Sequence, residues 1–273
     1  MITTTQINKL LFFFGLLILC ASCYTNVSGC LDPFSSNYTA YADEECLNCC
    51  EYPSINLTIS YVLGDSGFNR SLFVSNGQDS FFVIEAGLYL QNFQFNADGG
   101  IIKVTDQISL TNQDGSQTTV VDDFVRVSTV NGSRFTLGEH RVRDSFQSVS
   151  FELGIENEFN QLDSAGIPTS TDLSQVNNLL YSKSLGYLSA FMDVFYDTMT
   201  MDTMRYQVPI ADLRQNYLLD TTFMVDYGED LTLNLKVDLL EWTQGIDFAT
   251  VGQDTALVKS TFVQNIPNSI SLE

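Results

Sequence analysis

From Ile55 onward, hydrophobic and polar positions alternate with a period of two. In "INLTISYVL" Ile55, Leu57, Ile59 and Tyr61 share one face while Asn56, Thr58 and Ser60 share the other, the pattern of a half-buried strand. The same signal returns at residues 79–95, 118–130, 133–140, 147–155, 188–201, 221–228 and 231–242. Between these runs, "ADGG", "NQDGS", "VNGS" and "DYGED" supply the Asn, Asp and Gly that tight turns need. Many short strands with frequent turns predict an all-β fold, an antiparallel β-sandwich with Greek-key-like connections. Two helices are predicted beside them. Residues 254–267 place Asp254 at the N-cap, Val258, Phe262 and Ile266 on one stripe, and Pro267 as the stop. Residues 171–182, "TDLSQVNNLLYS", form the second.

The pattern changes ahead of Ile55. Residues 1–22 carry Lys9, an apolar run from Leu10 to Leu19 and then small residues, the layout of an export signal. The run is shorter than the ~20 residues a membrane-spanning helix needs. "LCASC" resembles a bacterial lipobox, with Ala21 and Ser22 in the small positions and Cys20 departing from the usual aliphatic residue, which makes Cys23 the lipidation site. "VSGC", ending at Cys30, fits the box locally but lies beyond the apolar run. Acyl chains on Cys23 anchor the protein stably at ~0.8 kcal/mol per buried CH₂. Tyr24 in place of Asp removes the inner-membrane retention signal, so the chain reads as an outer membrane lipoprotein on the periplasmic or cell-surface face. The predicted organisation is signal peptide 1–22, Cys-rich anchor and spacer 23–53, and sandwich domain 54–273.

All six cysteines fall within the first 50 positions, and after processing Cys30, Cys46, Cys49 and Cys50 keep free sulfur. An oxidising compartment favours two disulfides among these four. Vicinal cysteines rarely bridge each other, so Cys30 and Cys46 each take one of Cys49 and Cys50. A four-thiolate zinc site on the same residues is the alternative, and it requires the thiols to stay reduced. Residues 29–46, "GCLDPFSSNYTAYADEEC", resemble a short Gly-Cys-x-Asp-Pro…Asn-Tyr…Asp…Cys module of surface and secreted proteins of the Bacteroidota.

Charge removes whole classes of function. The 273 residues carry 33 Asp and Glu against 12 Lys and Arg, a net charge of −21, so a nucleic acid partner is repelled. An enzyme is not expected either. No Gly-x-Ser-x-Gly elbow is present, and adjacent carboxylates such as Asp122 and Asp123 point to opposite strand faces as solvated charge. His140, the single histidine, stands beside Arg141 and Arg143 and reads as a surface strand-edge residue. Trp242, the single tryptophan, reads as a core or rim aromatic.

"YDTMTMDTM" places three of the six methionines within residues 196–204. Counting by twos from Phe191 puts Phe195, Met199 and Met201 on one face, interrupted by Asp193 and Asp197. That favours the inner row of a strand, since Met fills irregular apolar gaps. The rival reading is a Cu(I) site from Met199, Met201 and Met204 with His140, because thioethers suit that ion and a site needs about three converging donors.

"ISYVLGDSGF", "AGLYLQNFQF", "VSFELGIENEFN", "SLGYLSAFMDV" and "LTLNLKVDLLEWTQGIDF" together resemble, in this order, the MbnP-like family of periplasmic or lipid-anchored β-sandwich proteins associated with methanobactin and copper acquisition. The most specific pieces are Leu153, Gly154, Ile155 and Asn160; Gly186 and Tyr187; and Val237, Asp238, Trp242, Gly245 and Ile246. The resemblance implies copper as the bound metal and, as partner, a di-haem peroxidase-like enzyme of the MbnH type that oxidises a tryptophan to kynurenine. A TonB-dependent transporter is a second partner class. The chain departs from the family twice. Tyr181 and Lys183 stand where a Trp-x-Trp stretch is usual, and the methionine segment replaces a His-Leu-Gly-like turn. A non-metal surface module, using Tyr181, Tyr187 and Tyr196 toward a protein or glycan, is the competing reading.

Overall fold

The computed structural model describes residues 25–104, 106–130, 134–196 and 203–273. Two sheets face each other. The smaller runs in the order Arg134–Glu139, Ser54–Leu63, Leu231–Asp238, Ile270–Leu272, with Ser66–Gly67 paired to Ser54–Leu63. The larger has nine strands, and its path runs Tyr181–Ser182, Gly186–Phe195, Ser80–Ala97, Asp144–Leu153, Gln215–Val225. Phe73–Ser75, Gly100–Lys103 and Val125–Ser128 also pair with Ser80–Ala97, and Met204–Pro209 pairs with Gly186–Phe195. Ile55, Leu57 and Ile59 from the first sheet meet Phe93, Phe95 and Phe151 from the second in one buried core.

The fold is the all-β sandwich that the alternation predicts, with one pair of strands differing from an antiparallel arrangement. Leu231–Asp238 runs parallel to Ser54–Leu63, with Ile55 opposite Leu231. The turn before Leu231 lies where the chain enters the first strand, for Asp230 accepts the Ser54 N–H at 2.8 Å. Both strands therefore leave the same end in the same direction.

The 18-residue strand Ser80–Ala97 explains why a simple two-layer picture is incomplete. Its inward residues are Phe81 and Val83, then Ala86, Leu88 and Leu90, then Phe93 and Phe95. The phase changes twice, and the pairing register shifts at the corresponding places, once opposite Asp193/Val194 and once at Asn92, which adopts φ 57°. Between the two bulges both faces are buried. There the outer face carries a third layer: the hairpin Gln107–Thr111/Gln117–Val121, the short turns Asn157–Gln161 and Ser164–Gly166, and the irregular chain leading to Leu180. Leu110, Phe124, Phe159 and Leu173 from this cover pack on Tyr89, Tyr187 and Phe191 of the sheet. A single run predicted at 118–130 is accordingly two strands, Gln117–Val121 in the cover and Val125–Ser128 in the sheet.

The helix predicted at 171–182 is absent; the segment is a series of turns ending in the strand Tyr181–Ser182. Its polar side chains bond the local backbone in competition with a helix. Asn178 donates to the Ser174 carbonyl at 2.9 Å and accepts the Leu180 N–H at 2.9 Å, and Asn177 sits at φ 53°. The helix Thr255–Asn265 does form, capped by Asp254 through the Leu257 N–H at 3.0 Å, with Val258 and Phe262 buried. Ile266 and Pro267 continue it as one tighter turn.

The Cys-rich segment is docked rather than dangling. Cys30 bonds Cys50, and Cys46 bonds Cys49. Phe34 packs on Tyr227 at 5.2 Å between ring centres, and the Arg141 guanidinium lies 3.6 Å over the Tyr52 ring. Among the described residues no helix is long and apolar enough to cross a membrane. Residues 1–22, read above as an export signal, and Cys23 lie outside the described residues.

Candidate functional site

His140 is a buried residue, correcting the surface placement. It is 5% exposed, its backbone N–H donates to the Pro53 carbonyl at 3.0 Å, and its Nε2 lies 3.0 Å from the Glu229 carbonyl oxygen. Burial, more than any other influence, pushes its pKa below the usual value. The two arginines that flank it turn away, Arg141 onto Tyr52 and Arg143 onto Tyr227 and Asp226. His140 thus joins three distant parts of the chain at the entry to the sandwich.

Met204 stands elsewhere. It pairs with Val194, which pairs with Val83 near the start of the long strand. His140 shares a cavity of about 440 Å³ with Ile102, and Ile102 pairs with Phe95 near that strand's other end. From Val83 to Phe95 the strand spans on the order of 40 Å at ~3.3 Å per residue, so His140 and Met204 do not converge. Met204 is half-buried against the core, and Met199 and Met201 lie outside the described residues. Among the described residues no group of three or more His, Cys, Asp or Glu side chains is arranged to hold a metal. On the strand pair that carries Met204, Asp193 is buried in a two-point ion pair with Arg205, at 2.7 and 2.6 Å.

The polar chemistry gathers instead at the seam between cover and sheet. A cleft of about 480 Å³ is lined by Asp106, Asp122 and Asp172 together with Thr136, Phe124 and Phe135, and no Lys or Arg lines it. Burial raises the pKa of Asp122, with a further push from Asp106, and burial likewise raises Asp172. Across Phe124 a second hollow of about 300 Å³ is lined by Gln91, Asn92, Asp123 and Glu156. Burial lifts the Asp123 carboxyl to about 6. Glu152 nearby behaves oppositely: burial works against its charge, but hydrogen bonds from Gln91, Arg214 and Asn92 hold it below the usual range. Asp122 and Asp123 therefore do point to opposite sides, but into two hollows rather than into open water.

Two of the three sequence pieces singled out as most specific also meet at this seam. Asn160, on the turn Asn157–Gln161, accepts the Tyr187 N–H at 2.8 Å. Gly186, at φ 74°, leaves room for that amide, because a Cβ there would collide with Asn160 Oδ1. Gly154, at φ 87°, likewise lets the chain pass the Leu213 carbonyl and Ser189. Tyr187 is fully buried, its hydroxyl donating to the Leu173 carbonyl, so it offers no outward contact; Tyr181 and Tyr196 are half-buried. At the other end of the fold Asp238 caps the turn Leu239–Trp242 through the Leu240 N–H at 3.0 Å, and Trp242 is fully buried with Nε1 donating to Ser269 at 2.8 Å. These residues hold layers together.

A family model described as MbnP matches residues 52–260. The chain belongs to the MbnP family. Among solved structures it is similar to MbnP from Methylosinus trichosporium, at 11% identity over 70% of this chain and 76% of that one, with a TM-score of 0.42. No curated protein matches. The MbnP match begins at Tyr52 and so leaves out most of the Cys-rich segment. Sequence reasoning missed the seam because Asp106, Asp122, Asp123 and Asp172 carry no spacing pattern. The one available signal was "VVDDFV", a pair of charges inside an apolar run.

Proposed function

We propose that this MbnP-family chain is a lipid-anchored extracytoplasmic binding protein that handles copper, without catalytic chemistry of its own. Family membership across residues 52–260 carries the reading. The two disulfides fit an oxidising compartment, and the net charge of −21 concentrates cations. His140 does not join the thioethers, since its Nε2 lies against the Glu229 carbonyl and its ring is buried far from Met204. The described residues alone do not supply a donor set, and the thioethers of Met199, Met201 and Met204 remain the chain's soft donors. A di-haem peroxidase-like enzyme or a TonB-dependent transporter is the matching partner.

The test has two arms. Globomycin-treated cells should accumulate unprocessed precursor, and purified protein should retain Cu(I) against a mild chelator. Loss of copper in Met199→Leu/Met201→Leu, with His140→Gln unaffected, supports thioether ligation. Failure of the unaltered protein to retain Cu(I) removes copper from the reading.

A second reading, a glycan- or protein-binding module, rests on one observation. Where the family shows Trp-x-Trp, Tyr181 and Lys183 line with Gln175 and Asn177 an open hollow of about 540 Å³. Ring edges beside amides suit hydroxylated ligands. If Tyr181→Ala leaves every captured partner in place, that module is lost.

A further inference from the structure

The Cys-rich segment has two unlike sides. One is consumed by the sandwich: Phe34 on Tyr227, Ser35 and Ser36 against Gly228, Tyr52 under Arg141, and Pro53 on the His140 N–H. The other is built around the short pair Ser28–Gly29 and Glu44–Glu45, which run parallel. Val27 and Leu31 flank Ser28–Gly29 along the chain, Tyr38 bridges Cys30, and Tyr41 and Leu47 flank Glu44–Glu45; in that order they are 36, 38, 48, 78 and 92% exposed. Five of the fifteen exposed large hydrophobics among the described residues thus sit in residues 25–53. Backbone bonds hold them close: the Asp43 N–H donates to the Val27 carbonyl at 2.8 Å, the Cys46 N–H to Gly29 at 3.0 Å, and the Thr39 N–H to Cys30 at 2.8 Å. Leu47 occupies the tight loop closed by Cys46 and Cys49.

We propose that this side of the Cys-rich segment lies on the lipid surface, with Tyr41 and Leu47 entering the headgroup region. The inference rests on the lipid anchor argued above. Cys23 stands only four residues before Val27, so acyl chains on it hold the segment within ~14 Å of the bilayer at ~3.5 Å per residue. Tyr suits that zone because its ring is apolar and its hydroxyl wet. The segment carries Asp32, Asp43, Glu44, Glu45 and Glu51 and no Lys or Arg. Apolar contact therefore drives the docking and a zwitterionic surface suits it best. Because the segment is stapled and packed on the sandwich, docking also fixes the pose: the turn Asp226–Asp230 faces the membrane, and the Val83, Val194 and Met204 end points away.

The test uses the full-length lipoprotein carrying Tyr41→Trp, and separately Leu47→Trp, on phosphatidylcholine/phosphatidylethanolamine vesicles. Trp242 is fully buried and provides a constant background. Flotation with the vesicles and the mass of acyl chains on Cys23 report the anchor. A blue-shifted indole at position 41 or 47, quenched by brominated lipid and shielded from iodide, supports docking. A lipoprotein that floats while both indoles stay open to iodide overturns docking, leaves the anchor intact, and gives the patch to a protein partner. Absence of acyl chains on Cys23 overturns both.

Discussion

Along Gly186–Phe195 eight consecutive residues are buried, whereas along Gln215–Val225, in the same sheet, alternate side chains stand in solvent. The difference lies in what covers the outer face. Over the first strand sits the third layer, so Phe191 packs outward against cover residues while Met192 packs inward. Over the second nothing sits among the described residues. Its neighbours across the face are Ser148, Ser150, Asn96 and Gln94, which water can satisfy. One sheet thus has a structural half and a wet half, and the hollow lined by Gln91, Asn92, Asp123 and Glu156 lies along the border between them. Removing contacts from either half should separate them sharply. Phe191→Ala, at a fully buried ring, should cost about 3–5 kcal/mol in chemical denaturation. A loss under about 1 kcal/mol would mean that the cover is not part of the cooperative unit.

The border itself is sensitive to protons. Asp123 sits near 6 in the folded chain because it is buried, against ~3.9 when unfolded. A carboxyl raised in this way favours folding below about pH 4, and that contribution disappears as the pH rises through 6. Asp123→Asn should therefore gain about 2 kcal/mol at pH 7 and almost nothing at pH 4, measured by urea unfolding at both values. A gain of equal size at both pH values would show that the carboxyl is not buried by the cover.

How far this division could be read from the sequence depends on how many faces a strand buries. Ser54–Leu63 keeps one face in the core along Ile55, Leu57 and Ile59, and a period of two finds it at once. Ser80–Ala97 shifts phase at two bulges and buries both faces between them, so alternation marks it as a strand but hides the cover. The helix at Thr255 was legible because Asp254 is a local signal. His140 was misplaced because its burial depends on Pro53 and Glu229, which only the fold brings near. The family pieces were visible as residues, but the reason for them, Asn160 reaching Tyr187 across Gly186, is a contact that spacing does not encode.

The cover is also tied down by polar bonds. Tyr89 rises from the middle of the long strand, donates to the Asp172 carbonyl at 2.8 Å and accepts from Asn178 at 2.8 Å. Burial raises its hydroxyl pKa far above the normal range, so it remains protonated at any physiological pH. Tyr89→Phe keeps the ring and removes both bonds, leaving the Asn178 amide one partner short. The expected loss is about 1–2 kcal/mol, with faster hydrogen exchange confined to residues 171–180. Faster exchange throughout the sandwich would contradict a separately held cover.

The smallest effect belongs to the wet half. Leu218 is 62% exposed and stands opposite Ser150, so Leu218→Ser removes little buried area and leaves no unsatisfied group. Stability should stay within about 0.5 kcal/mol of the unaltered protein. The same change trims an apolar residue from an edge strand, where open backbone groups can template pairing with another chain. Size-exclusion profiles at rising concentration should therefore stay unchanged or show less association. If Leu218→Ser instead costs as much as Tyr89→Phe, an uncovered outer face is wrong for Gln215–Val225, and the two halves of the sheet would be alike in their contribution to stability.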